Sequence, residues 1–315
     1  MAVILAYIGV VLIWATTPLT IQWSSDSLSF IAAVLLRMSI ALALGLAINA
    51  IFGRRLFGNP KAWRVYAAGA IGIFPNLPVV YWSAQFIPSG LVAVVFAMSP
   101  FVMGLMTLVL LRHNPFSFRR VFAFSLALVG LIVIFNHQLK FDARAVYGVA
   151  GILISCFLFS FSSVLVKRQN VQVDAFNQAI GALLFSVPCL LVTWWILDGH
   201  VPHQVSTKSI VSIGYLAVFG SLIGAGLFFY VLANMSPTAV SLITFITPVM
   251  ALILGSLVAN ETLGSRLWIG AGFVVGALLL YMDYSAGHWF FSTMRRQRSK
   301  PNVYLDSKKM ADRFK

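Results

Sequence analysis

An arginine stands inside an apolar run at position 37, in VLLRMSIAL. A guanidinium in such a place can do one of two jobs. It can tie helices together through carbonyls and hydroxyls, or its planar fork can hold the carboxylate of a bound solute. Arg37 falls about ten residues into its helix, roughly 14 Å along the axis. A charge at that depth in a bilayer costs at least ~2.5 kcal/mol unless it is paired or hydrated. No Asp or Glu lies inside an apolar span except Asp283, near the end of the last one. That disfavours a pump for organic cations, which needs an intramembrane carboxylate to hold the cation or a proton. His113, His137, His200, His203 and His288 all fall in loops or at span ends, and read as solvated residues. There is no HExxH motif, no pair of membrane acids and no Ser-His pair at mid-depth, which argues against an intramembrane enzyme. Cys156 and Cys189 both sit in apolar runs, so no disulfide framework, metal site or cofactor is expected.

Other polar and aromatic residues interrupt the apolar runs in ways that suit a wall for an amphipathic solute. FPNLPVVYWSAQ (74–85) puts two prolines and Asn76 into one span, followed by Tyr81, Trp82 and Gln85. Trp82 alternatively fits an aromatic belt at the membrane interface. Trp14, Thr17 and Pro18 make a partly polar surface on the first span, and Phe159, Ser162 and Ser163 are their counterparts on the sixth. Ser99-Pro100 and Thr247-Pro248 repeat a hydroxyl-proline start, in which the hydroxyl can bond a carbonyl that the proline leaves free. Thr244 shares a face with Thr247, and Tyr230 pairs by position with Trp82. Gly272 and Gly276 form a small-xxx-small face that reads as helix packing.

The elements that must position these residues are membrane helices. Sixty per cent of the 315 residues are hydrophobic and ten per cent charged, and the mean hydropathy is +0.92, far outside the range of soluble domains. Apolar runs fall near 2–22, 28–50, 65–86, 89–111 and 119–136, then near 146–166, 176–197, 210–232, 236–259 and 266–284. The first lacks a basic leader and a cleavage site, and is read as a retained helix. With the N-terminus inside, seventeen Lys and Arg fall on the inner side and four, Lys140, Arg144, Lys208 and Arg266, on the outer. Both termini are therefore expected in the cytoplasm. The net charge of +14 sits in short loops and a basic tail, which points to anionic lipid rather than nucleic acid.

The pattern of SPFVMGLMTLVLLRHNPFS (99–117) returns as TPVMALILGSLVANETLGS (247–265), 148 residues later. At the same offset VVYWSAQFIPSG (79–90) falls on LFFYVLANMSPT (227–238). Five spans per half invert the second half. The expected fold is an all-α membrane protein of ten transmembrane helices in two inverted five-helix repeats, 1–141 and 142–285, with a basic cytoplasmic tail at 286–315. Inverted repeats place a solute site near the midplane. Spans one, three and four and their partners six, eight and nine are expected to enclose it, with Pro100 and Pro248 bending the fourth and ninth.

The chain resembles the EamA family of the drug/metabolite transporter superfamily over residues 2–284. Trp14 in LIWATTPL, Arg37 in VLLRMSIAL, the aromatic third and eighth spans, the two Pro-led helices and NETLGSRLWIGAGFVVGALLL (260–280) carry the resemblance. His113 departs from it, standing where the second half has Glu261. The resemblance implies export or exchange of small metabolites, often amino acids or related compounds, across the bacterial inner membrane. Trp14, Thr17, Arg37, Asn76, Tyr81, Trp82, Gln85, Ser99, Phe159, Ser163, Tyr230, Thr244 and Thr247 are the candidate substrate-binding residues. The expected partners are a small-molecule substrate and membrane lipids, with the chain a monomer or weak homodimer. A channel-like facilitator and a proton-coupled drug exporter remain as alternatives. Reporter fusions after residues 60, 116 and 300 should read as cytoplasmic, and fusions near 26 and 202 as external. A periplasmic C-terminus would overturn both the orientation and the count of spans.

Overall fold

An apolar run long enough to cross lipid must satisfy its backbone within the segment, which makes it helical. The computed structural model describes residues 2–112, 114, 116–139, 144–200, 204–235, 243–259 and 264–281, and over these the chain is helices and short connections. In order they are α1 (Ala2–Ser24), α2 (Phe30–Ile51), α3 (Ala62–Ala70), α4 (Asn76–Ser83), α5 (Ser89–Phe96), α6 (Ser99–Leu111) and α7 (Phe118–Leu139). Then come α8 (Ala145–Gln169), α9 (Ala175–Leu197), α10 (Thr207–Tyr215), a π-helical segment (Leu216–Ile223), α11 (Gly224–Asn234), α12 (Ile243–Val258) and α13 (Ser265–Tyr281). Side chains that suit the first turn start several of them. Ser29 accepts from the Ala32 amide, Asp174 from the Phe176 and Asn177 amides, and Ser206 from the Ser209 amide.

Among the described residues six stretches are long and apolar enough to cross a membrane: Ala2–Ser24, Phe30–Ile51, Ser89–Leu111, Ala145–Gln169, Ala175–Leu197 and Thr207–Asn234. The chain is thus an all-α, multi-pass membrane protein. Two further apolar helices are shorter, Ile246–Val258 and Ser265–Tyr281. The run expected as one helix near 65–86 is instead broken between Ala70 and Asn76. Pro75 has no amide proton to give the Ile71 carbonyl, and the regular helix stops short of it. The polar groups near the break are met from elsewhere. Ser162 of α8 donates to the Ala68 carbonyl at 2.7 Å and Asn76 to that of Gly72 at 2.9 Å, while the Ser186 hydroxyl of α9 is shared between the Ala182 carbonyl of its own helix at 2.8 Å and that of Ala70 at 3.2 Å. Gln178 of α9 donates to the Val65 carbonyl at 2.9 Å.

Around this break α3 packs on α8 and α9, α4 and α6 on α8, and α2 on α9. On the other side α1 packs on α11 and α12, and α5 on α12. α7 pairs chiefly with α13. That pair meets at Gly130 and Gly270, where a Cβ on Gly130 would lie 2.7 Å from the Gly270 carbonyl. Gly272 and Gly276 do not form the packing face expected of them. A Cβ on either would meet nothing within 4 Å, because the side of α13 turned to α7 is the one carrying Gly270.

Both ends of the bundle carry polar ties between distant parts of the chain. Where α1 turns into α2, the Ser27 hydroxyl donates to Ser209 at 3.0 Å and accepts from the Ser206 amide at 2.9 Å. Ser209 in turn donates to the Trp23 carbonyl at 3.2 Å, and Ser29 donates to the Asp198 carboxylate. At the opposite end Asn49 donates to Asn177 at 2.8 Å, and Arg54 lies 3.6 Å from Asp174, both half-exposed.

The α3–α9 contact is a close helix approach against an aromatic ring. A Cβ on Gly181 would fall 2.2 Å from the Tyr66 ring. Gly181→Ala should lower stability by about 1–3 kcal/mol, the usual cost of overpacking, seen as a lower melting temperature in detergent. Gly276→Ala should leave melting unchanged; equal effects would contradict the packing described.

Candidate functional site

The break in the third span, the π-helical segment and the helices packed around them leave a space between them. It is a cavity of about 220 Å³, below the ~300–1,000 Å³ of pockets for drug-sized ligands. Its walls come from α1, α2, the α3–α4 break, α4, α5, α8, α9, the π segment, α11 and α12. The expected six spans all contribute, and the second and seventh join them through Arg37, Met38, Ala179 and Leu183.

One wall is aromatic. The Trp14 ring lies 5.0 Å from that of Phe228 and 5.9 Å from that of Phe159, and Phe159 is 5.6 Å from Phe228 and 5.4 Å from Phe96. All four line the cavity. Such edge and tilted contacts hold rings in fixed orientations and present apolar area at little cost in side-chain freedom.

Among the hydroxyls that line the cavity, three, one each from α1, α8 and α12, bond back to their own helices. Thr17 donates to the Ile13 carbonyl at 2.8 Å, Ser163 to that of Phe159 at 2.8 Å and Thr247 to that of Ile243 at 3.0 Å. Their protons are thereby committed to their own helices, and their lone pairs remain as acceptors. Asn76, 3% exposed, gives its amide to Gly72 and accepts from Ser155 at 2.6 Å.

Arg37 is the charged residue of the cavity wall among the described residues. It is 4% exposed. Its Nε donates to Ser221 Oγ at 2.8 Å, and Nη1 donates to the Tyr81 hydroxyl at 3.2 Å. Ser221 belongs to the π-helical segment, so the guanidinium joins α2, α4 and the π segment. No carboxylate pairs with it among the described residues.

Trp14, Thr17, Arg37, Asn76, Phe159, Ser163 and Thr247 are thus brought together around one space. The other residues singled out in the sequence are placed elsewhere. Tyr81 is 1% exposed and stands behind Arg37 as its hydrogen-bond acceptor. Trp82 is 37% exposed and packs on Phe86 and Tyr147 at the protein surface. Gln85 is exposed at the end of the same span. Ser99 is buried and donates at 2.5 Å to the Phe96 carbonyl, the one that Pro100 leaves without an amide partner. Tyr230 is half-buried against the cluster of α1, α11 and α12. The side chain of Thr244 lies outside the described residues. Sequence reasoning missed Ser221, Phe96 and Phe228. The Gly220-Ser221 pair in an apolar run was the available signal for the first; a phenylalanine among many gives none.

The model of the EamA-like transporter family matches residues 1–136 and 146–282. The inner membrane transporter YedA of Escherichia coli (strain K12) is 28% identical over 281 residues, covering 87% of this chain and 89% of its own. Protein PecM of Dickeya dadantii is 26% identical over 294 residues, 92% of this chain and 93% of its own. A crystal structure at 17% identity superposes with a TM-score of 0.66 over 89% of this chain and 96% of the other, a likeness of fold. The family match runs through α1, α2, α8 and both halves of the cavity wall, and it makes the chain a member of the EamA-like transporter family, within the drug/metabolite transporter superfamily, and a membrane transporter of small solutes rather than an enzyme.

Proposed function

We propose that the protein is a secondary transporter of the bacterial inner membrane that exports or exchanges small metabolites, such as amino acids or related amphipathic compounds, by alternating access. The observation that carries this reading is the cavity itself. Residues from both matched segments wall it, and it combines an aromatic face, hydroxyl acceptors and one guanidinium. Relatives described as inner membrane transporters support the location.

In this reading ten spans form two inverted five-helix repeats, 1–141 and 142–285, with both termini in the cytoplasm. The two-part family match and the 148-residue pattern repeat support it. Rocking of one repeat against the other would open the cavity to each side in turn. Trp14, Thr17, Arg37, Asn76, Phe159, Ser163 and Thr247 would contact the solute, with Tyr81 and Ser99 holding the wall behind them. The tail, 286–315, would lie against anionic lipid, and the chain would act as a monomer or weak homodimer.

Purified protein in proteoliposomes should give saturable flux with counterflow for part of a panel of amino acids and related metabolites. Non-saturating conductance would instead mark a channel. In a Cys189→Ser background, Thr17→Cys and Ser163→Cys should react with small aqueous thiol reagents and be protected by a transported solute. Leu44→Cys, on the outward face of α2 and 39% exposed, should stay unreactive. Equal labelling at all three positions would defeat the central cavity as the solute path.

A further inference from the structure

The geometry points to Arg37 as the receptor for a substrate carboxylate, held ready by Ser221 and Tyr81, and so to small monocarboxylates with an apolar body as the substrate class. This rests on the transporter reading above and narrows it.

A guanidinium has five N–H donors in a rigid fork. Two of its nitrogens are oriented by the protein, Nε by Ser221 Oγ at 2.8 Å and Nη1 by the Tyr81 hydroxyl at 3.2 Å. Both partners are neutral, so they set the plane of the fork without neutralising it. Nη2 has no hydrogen bond among the described residues. It lies in a notch left by the missing side chain of Gly220, where a Cβ would come within 3.0 Å of it. The result is a 4%-exposed cation on the cavity wall with donors left over at the Nη1–Nη2 end. Carboxylates bind that end through two parallel N–H···O bonds.

The rest of the wall selects against other charge types. Neither Asp, Glu nor His lines the cavity among the described residues, so an amine without a carboxylate would meet Arg37 with like charge and no counter-ion. A neutral amide keeps the shape but loses the charge-assisted bonds. The rings of Trp14, Phe96, Phe159 and Phe228 suit a ring or branched alkyl body. The hydroxyl lone pairs of Thr17, Ser163 and Thr247 would accept from an α-ammonium where one accompanies the carboxylate.

Ser221 is a positioning residue: it touches Arg37 and acts on the solute through it. Its contribution is geometry rather than charge, which separates it experimentally from Arg37.

The test is calorimetric titration of the purified full chain with probes sharing one ring: 3-phenylpropionate, phenylalanine, 3-phenylpropionamide and 3-phenylpropylamine. The two carboxylates should bind about ten- to a hundred-fold tighter than the amide and the amine, the usual worth of hydrogen bonds to a charged group. Arg37→Gln should erase that preference, and Arg37→Lys should restore it only in part, because the fork is lost. Ser221→Ala should weaken the carboxylates about ten-fold and leave the amide unchanged; a merely structural role would move all probes together. Equal or tighter binding of the amine or amide, binding of no probe, or an intact preference in Arg37→Gln overturns the assignment. In the same preparation, saturable counterflow of non-carboxylate solutes would then leave the transporter reading standing, whereas no saturable flux of any solute would sink both.

Discussion

A carbonyl set free inside a membrane has no water to turn to, so its donor must come from the protein. At the break in the third span the Ala70 carbonyl keeps the Ile73 and Phe74 amides, and side chains of two other helices bring further donors to this stretch. Ser162 of α8 and Ser186 of α9 reach the carbonyls of Ala68 and Ala70, and Gln178 holds Val65. These bonds fasten the broken span to α8 and α9, which belong to the second matched segment of the chain. Gly69 and Gly181 allow the approach: side chains at either would collide with Gln178 or Tyr66. The cavity follows from this arrangement. Gly72, Ile73 and Asn76, at or beside the break, become part of its wall because the chain there has left the regular helical path.

The same constraint shapes the cavity's chemistry. Thr17, Ser163 and Thr247 each return their proton to a carbonyl four residues back. Arg37, which has no carbonyl of its own to serve, is steadied by two hydroxyls from separate elements. The wall therefore carries its charged donor at one point, the guanidinium, and that asymmetry gives an anionic solute a preferred orientation. The π-helical segment matters here because it carries both Gly220, beside Nη2, and Ser221, which accepts from Nε.

Much of this was legible in the sequence. A charge or a tryptophan-threonine-proline group inside an apolar run is conspicuous, and Arg37, Trp14 and Thr17 do meet around one space. Facing was harder. Successive residues on a helix point about 100° apart, and in a span apolar all round no periodicity says which side is inward. Tyr81 and Trp82 illustrate this, one turned to Arg37 and the other to the surface. The two hydroxyl-proline pairs look alike in sequence and serve differently: Ser99 caps a carbonyl that Pro100 leaves open, while Thr247 reaches the cavity. The π segment left no trace, because the same glycines and apolar residues fit an ordinary helix. Breaks were visible as prolines, but their consequence for an unbroken span near 65–86 was not.

The serine cluster that joins the α1–α2 turn to the start of α10 has a property that an ionic tie would lack. Ser27, Ser206 and Ser209 hold one another through bonds between neutral hydroxyls and backbone groups at a half-buried end of the bundle. Water can replace each of those partners almost evenly, since a neutral hydrogen bond nets only about 0.5–1.5 kcal/mol over its hydrated alternative. The charges beside the serines change this little: the Lys208–Asp26 pair, 3.9 Å apart, is half-exposed and of the surface kind worth about 0–1 kcal/mol, while parting the seam would also cost Asp198 its Ser29 donor. The seam is strong enough to set which faces meet, and shallow enough in energy that thermal motion and a few entering waters could unfasten it.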